Sequence, residues 1–420
     1  MAGDVRPSNG VICPRWFVDD LDVSGHTPAM TQPASVPRII ALLALAVFSG
    51  ALATRLTDPL VAVLARDLGG STGRTALLAS AFALPFALIQ PILGPVGDAF
   101  GKRVVMTIAI GVLALFLIAC AAAPNLDTLM VLRAFSGLAA GGLTPLALAF
   151  LADAVPAQDR QVALSRLVAF AISGQIFGGS FSGLLEPILG WRGVMLGASC
   201  IAAAGCATLI AGRHGLPPEP RRRFNPMGAM AGYLQLYRMP AARILYISVA
   251  IEGACIFGPF PYFALELRDR GIGETAEAGL AVAAFGCGGL IYAAIAKLVL
   301  GTIGQNRMVL LGGALVLTAF VGFAFAPTAW VFIGSGLVLG TGMYMVHNTI
   351  QTRVTEVAPN ARGTAVAMHA FHFFLGQTAG PAMFGPLLRY AGPQPAFLFA
   401  GFCLLGLAAM LGRQGFNRRN

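Results

Sequence analysis

The sequence predicts an all-α membrane protein: twelve transmembrane helices in two pseudo-symmetric six-helix bundles. Three observations carry this. Hydrophobic residues make up 57% of the 420 and charged residues only 11%, where a soluble domain carries about 25% charged. Apolar runs fall at 37–63, 74–93, 104–123, 128–150, 165–187, 193–212, 244–265, 277–297, 308–326, 328–351, 363–388 and 393–412, each near the ~20 residues needed to cross a bilayer core. The one long polar interruption, Arg213 to Arg243 with Pro217, Pro218 and Pro220, divides the runs six and six. Mean hydropathy is +0.76, and nothing resembles the short alternating strands of an outer-membrane barrel.

Taken in order, the chain reads as a disordered cytoplasmic tail (1–36), an N-terminal bundle (37–212), a cytoplasmic linker (213–243), a C-terminal bundle (244–412) and a short cytoplasmic tail (413–420). The first tail is polar and proline-bearing, and Met30 could also serve as a start. The first apolar run exceeds the length of a cleaved signal segment and leads into further spans, so no signal peptide is expected. With both termini cytoplasmic, 20 Lys and Arg lie inside, 6 outside and 2 within spans. That asymmetry orients the chain and places it as a multi-pass protein of the cell inner (plasma) membrane. The net charge of +10 is therefore a topology signal, and no nucleic-acid partner is expected. Arg221–Arg223 belong to the same signal, with contact to anionic lipid heads as the alternative. The seven cysteines form no CxxC pair, which indicates small buried hydrophobes and neither a disulfide framework nor a metal site.

Internal similarity supports duplication of a six-helix unit. Arg66-Asp67-Leu68-Gly69 recurs as Arg268-Asp269-Arg270-Gly271, 202 residues later. Gly101 and Gly304, Pro156 and Pro359, and Gly137 and Gly340 are each 203 apart. A constant offset at corresponding places is the mark of a repeat.

The loop after the second span reads Gly94-Pro-Val-Gly97-Asp98-Ala-Phe-Gly101-Lys102-Arg103. Glycines permit a tight turn, Asp98 can face a helix start, and Lys102 or Arg103 can pair with a carboxylate, of which Asp153 at the end of span four is the expected one. This loop resembles the signature of the major facilitator superfamily, with Ala99 in place of the usual first base, and the likeness extends over roughly residues 37–412. The resemblance implies the major facilitator fold and a latch, formed by Gly94, Asp98, Gly101, Lys102, Arg103 and Asp153, that holds one conformation closed on the cytoplasmic side. Gly301 stands where the second half would need its acid, so the latch is expected to be one-sided. Arg133-Ala-Phe-Ser-Gly137 is similar to a pattern of proton-coupled members, whose arginine lies in the central cavity. Asp58-Pro59, and Gly174 through Gly183 in span five, resemble drug:proton antiporter signatures. Gly179 and Ser182 depart from the latter, and close helix packing explains its small residues equally well.

Ionisable groups inside the spans are scarce: Arg55 and Asp58 in the first, Arg133 in the fourth, Glu252 in the seventh, His347 in the tenth, His369 and His372 in the eleventh. Each charge costs roughly 2.5–3.5 kcal/mol at mid-bilayer, so these side chains should face a shared polar cavity. At ~1.5 Å rise per residue, Arg55, Asp58 and Arg133 lie in the outer half of the first unit, where two guanidiniums keep Asp58 ionised. Glu252 and the histidines lie in the second unit. A desolvated Glu252 with only histidine nearby can exchange protons near neutral pH, so Glu252 with His372 or His347 is the expected proton-coupling group and Asp58 the next candidate. The alternative for Glu252 is a neutral acid bridging two helices. His369-x-x-His372 with His347 and Glu252 matches transition-metal ligands by type, although histidine pairs equally bridge spans, and no metal is expected. Gln175, Tyr262, Tyr344, Asn348, His369 and Gln377, with Arg55 and Arg133, are expected to line the substrate cavity.

The expected function is proton-coupled export, by alternating access, of a small, partly apolar solute such as a drug or metabolite. An alternative is uptake or exchange of an anionic metabolite on Arg55 and Arg133, and a more distant one is a non-transporting membrane sensor. No phosphate loop, nucleophile motif or HExxH occurs, so no enzyme activity and no cofactor are expected. The expected partners are a small-molecule substrate, protons and the lipid bilayer, with the chain acting as a monomer.

Overall fold

The computed structural model describes residues 35–212, 226–359 and 361–413. Most of the expected N-terminal tail, the Arg221–Arg223 cluster and the final seven residues lie outside these. The described residues form fourteen α-helices: α1 (Val36–Arg55), α2 (Val61–Asp67), α3 (Thr72–Phe100), α4 (Lys102–Ala121), α5 (Leu126–Ala140), α6 (Leu143–Ala154), α7 (Ala157–Ala211), α8 (Pro226–Arg238), α9 (Pro240–Phe257), α10 (Phe263–Asp269), α11 (Thr275–Phe325), α12 (Ala329–Val357), α13 (Arg362–Ala391) and α14 (Pro393–Arg413). No strand occurs among them.

Twelve spans follow from these helices. Nine stretches among the described residues are long and apolar enough to cross a bilayer. Two of them, α7 and α11, each contain two helices joined at a kink, at Gly190 (φ 65°) and Gly304 (φ 72°). The more polar α13 completes the set. Spans one, four and seven are each interrupted, as α1/α2, α5/α6 and α9/α10. Pro59 lies in the first break and Pro261 in the third, where a missing N–H interrupts the hydrogen-bond ladder. The linker is not wholly irregular, since α8 occupies its second half.

The repeat is visible in backbone geometry. The glycines with positive φ come in three pairs, Gly69/Gly271, Gly101/Gly304 and Gly190/Gly392, with offsets of 202 or 203. Close helix crossings repeat as well. A methyl group on Gly137 would overlap the Phe82 carbonyl, and one on Gly340 would overlap the Phe285 carbonyl, again 203 residues on.

Buried apolar side chains gather into two large clusters, one drawn from Ile39 to Leu209 and one drawn mainly from Leu236 to Leu411. The two halves meet along two crossings. At one, the first part of α7 lies so close to α11 that a Cβ on Gly183 would come within 2.8 Å of the Gly279 Cα. At the other, α3 crosses α13, and Ser80 Oγ donates to the Thr378 carbonyl at 2.6 Å. The two ends of the molecule differ. At the Asp127 end α2 packs on α10, and Val61 and Ala76 are buried in the second half's cluster. At the Lys102 end a cavity of about 840 Å³ opens between α3, α6, α8 and α13, lined by Gln90, Asp98, Tyr233 and Arg362 among others.

Candidate functional site

The break after α1 leaves Arg55 and Asp58 three residues apart and both buried, with Arg55 Nη1 3.3 Å from Asp58 Oδ2. Arg55 also reaches across the two halves: Nη2 donates to Gln377 Oε1 on α13, and its guanidinium carbon sits 3.9 Å from the Phe257 ring centroid. Phe257 lies 202 residues after Arg55, and Gln377 lies 202 after Gln175. Arg55 therefore contacts its own repeat equivalent, as a residue beside the pseudo-twofold axis would. Gln175 and Tyr344 line a small cavity on the other side of Arg55.

Arg133 is completely buried but is used differently. Its Nη2 donates to the Ala53 carbonyl at 3.0 Å and reaches Thr57 Oγ1 at 3.5 Å, and its guanidinium caps the Phe82 ring at 4.3 Å. Of the two guanidiniums expected beside Asp58, Arg55 makes the ion pair, while Arg133 secures the backbone of the first span.

In the second half Glu252 of α9 meets His347 of α12, with Oε2 2.9 Å from Nδ1. His369 packs edge-on against His347 with centroids 4.9 Å apart, and Phe373 covers the same ring at 4.7 Å. Tyr344 of α12, three residues before His347, lines the same small space as Arg55. His372 stands apart from Glu252. Its Nδ1 lies 2.7 Å from the Met368 carbonyl, so Nδ1 carries the proton. The Tyr237 hydroxyl, 2.6 Å from Nε2, then donates to it. Burial pushes the Tyr237 phenol above its usual value, which keeps it a donor. Tyr246 stacks on the same imidazole at 4.9 Å. Of the two partners expected for Glu252, the structure places His347 against it and turns His372 toward the linker helix.

Among the described residues, buried side-chain atoms with no protein partner include, at this site, Arg55 Nε, Asp58 Oδ1, Arg133 Nε and Nη1, Glu252 Oε1, His369 Nε2 and Gln377 Nε2. Native structures keep few such atoms, and a group of them marks a place where other partners are expected. Of the other expected cavity residues, the Tyr262 hydroxyl donates to the Pro381 carbonyl at 2.9 Å, and Asn348 is half-buried on α12 next to His347. The spacing of charges missed the aromatic residues Phe82, Phe257 and Phe373. The 202-residue offset already carried the signal for Phe257.

The loop after α3 has the geometry its glycines allow. Gly101, at φ 94°, lets α4 start directly after α3, and a Cβ on Gly97 would overlap Leu146. Lys102 Nζ lies 2.7 Å from Asp98 Oδ1 and 3.0 Å from Asp153 Oδ2. All three belong to the first half. Arg103 follows, half-buried on α4, while Gly94 and Asp98 line the large cavity opposite Arg362. The second half uses another device: buried Arg353 of α12 donates to the Leu411 carbonyl at 2.8 Å and to Asn306 Oδ1 at 3.0 Å.

Paired six-helix halves around buried charge are an architecture of secondary membrane transporters. The profile of the major facilitator superfamily matches residues 43–381 and 275–414, and the chain belongs to that family. It is 23% identical over 378 residues to the MFS-type transporter YwfA of Bacillus subtilis (strain 168), covering 88% of this chain and 90% of that protein. It is likewise 23% identical over 364 residues to the multi-drug resistance efflux pump PmrA of Streptococcus pneumoniae serotype 4 (strain ATCC BAA-334 / TIGR4), covering 83% of this chain and 89% of that protein. Among solved structures, a point mutant of the nucleoside transporter NupG superposes with a TM-score of 0.74 at 14% identity, over 89% of this chain and 98% of that one. The chain is thus a multi-pass membrane transporter and not an enzyme.

Proposed function

We propose that this transporter couples proton movement to export of a small, partly apolar solute, with its Lys102 end and both termini on the cytoplasmic side of the inner membrane. The observation that carries the reading is the buried Glu252–His347 pair with His369 against it. A carboxyl and imidazoles, with no Lys or Arg among the described contacts of the pair, form a site that can load and release a proton as the surrounding helices admit or exclude water. The spaces beside Arg55 are about 10 Å³ each in this conformation, and they would widen into one chamber as a solute enters. The walls contributed by Phe82, Phe257 and Phe374 suit an apolar body with a polar end.

A second reading rests on Arg55. Arg55 and Arg133 against Asp58 leave one positive charge in the first half, and an anionic solute could displace Gln377 from Arg55. A ligand-stabilisation screen on the purified protein, followed by flux of each hit with and without a pH gradient, tests the main reading. Export accelerated by an inward proton gradient supports it. Transport equally fast with the gradient collapsed contradicts it, and stabilisation confined to anions favours the second.

A further inference from the structure

We propose that Phe86 and Phe374 form the gate between the large cavity at the Lys102 end and the chamber around Arg55. The proposal rests on the transport reading above and adds to it the residues that control access. The two rings come from opposite halves, on α3 and α13, with centroids 4.0 Å apart. Their position along each helix places them at the partition. On α3, Gln90 and Leu93 line the cavity, Ala79, Phe82 and Ala83 line the chamber, and Phe86 lies between. On α13, Ala367 and Ala370 line the cavity, while Phe374 and Gln377 line the chamber, so Phe374 is the chamber's wall on the cavity side. At ~1.5 Å per residue, Ala83 to Gln90 and Ala370 to Gln377 each span ~10 Å, about two turns, and the pair lies within that stretch on both helices.

The helix backbones beside the two rings pack closely within their own halves. A Cβ on Gly141 would come 3.0 Å from the Phe86 carbonyl, and one on Gly253 would overlap the Phe373 carbonyl. With one ring on each half, the contact spans the seam between α3 and α13 at this depth. The gate also adjoins the proton site, because Phe373, on the same turn of α13 as Phe374 (rings 5.6 Å apart), packs on His347.

The test uses a full-length variant freed of native cysteines, with Ala83→Cys as a chamber reporter and a thiol reagent added from the Lys102 side. Phe86→Ala and Phe374→Ala should each raise the labelling rate by ~10-fold, as when a minor open state near 10% becomes dominant. Phe116→Ala, which removes a lipid-side ring stacked on Phe135, should leave the rate unchanged. If the alanine variants do not insert, cross-linking Phe86→Cys to Phe374→Cys in membranes should abolish labelling of the reporter. Labelling unaffected by the alanine substitutions, or undiminished by the cross-link, overturns the gate. Neither assay needs a proton gradient, so their failure leaves proton coupling standing, and failure of proton coupling leaves the gate standing.

Discussion

Arg55 carries more of this site than its position in the first span suggests. It holds Asp58, Gln377 and the Phe257 face together, and removing either member of the Arg55–Asp58 pair leaves a buried charge uncompensated. Breaking one partner of a buried pair costs about 3–5 kcal/mol. Asp58→Asn should therefore lower thermal stability in detergent by an amount of that order, and melting curves of purified protein check it. Arg55→Lys retains the charge but lacks the planar fork needed to serve Asp58 and Gln377 at once, so transport should fall even where the protein still folds; direct flux measures this. The buried charges themselves were legible in the sequence, because an ionisable residue stands out against an apolar run. Their partners were less so. Gln377 lies 322 residues from Arg55, and the choice of His347 over His372 for Glu252 depends on the rotation of α13. That rotation is set by close approaches, such as a Gly376 methyl overlapping the Ala250 carbonyl, which no local pattern reveals.

At the scale of the element, prolines decide several contacts. Pro95 has no N–H, which leaves the Pro91 carbonyl of α3 without its helical donor. The Tyr233 hydroxyl of α8 fills the position at 2.7 Å. Pro145 does the same to Gly141, whose carbonyl accepts from Gln90 Nε2 at 3.0 Å. Tyr233→Phe should loosen α8 by about 1 kcal/mol, the usual net worth of such a bond, and faster amide exchange in residues 226–238 is the readout. Unchanged exchange would show that α8 is held by other contacts. Tyr233 and Tyr237 touch α3 and α13 respectively, so α8 bridges the two halves. The sequence suggested only a polar connector there, since a short helix with aromatic residues on one side gives little hydropathy contrast. The broken spans were harder to read: Arg55, Thr57, Asp58 and Pro59 lower the hydropathy at the first break, but apolar residues on either side continue the run, as they do around Pro261.

At the scale of the whole molecule, the repeat offset was the most informative feature of the chain, and the paired glycines carry it into three dimensions. The conformation was not readable in advance. Contact at the Asp127 end together with a cavity at the Lys102 end depends on how two similar surfaces are tilted, and both tilts satisfy the same sequence. In this conformation Lys102 is held by Asp98 and Asp153 within one half, leaving Arg362 across the cavity. We propose that closing the cavity brings the Asp98 loop against the start of α13. Asp98→Asn should then shift the balance of conformations, seen as altered labelling of single cysteines from each side; an unchanged pattern would separate the loop from the switch. The most direct test of proton coupling is pH-gradient-driven flux in proteoliposomes for wild type and Glu252→Gln. The account predicts that the variant inserts and binds solute but no longer responds to the gradient. Gradient-driven transport at the wild-type rate would contradict it.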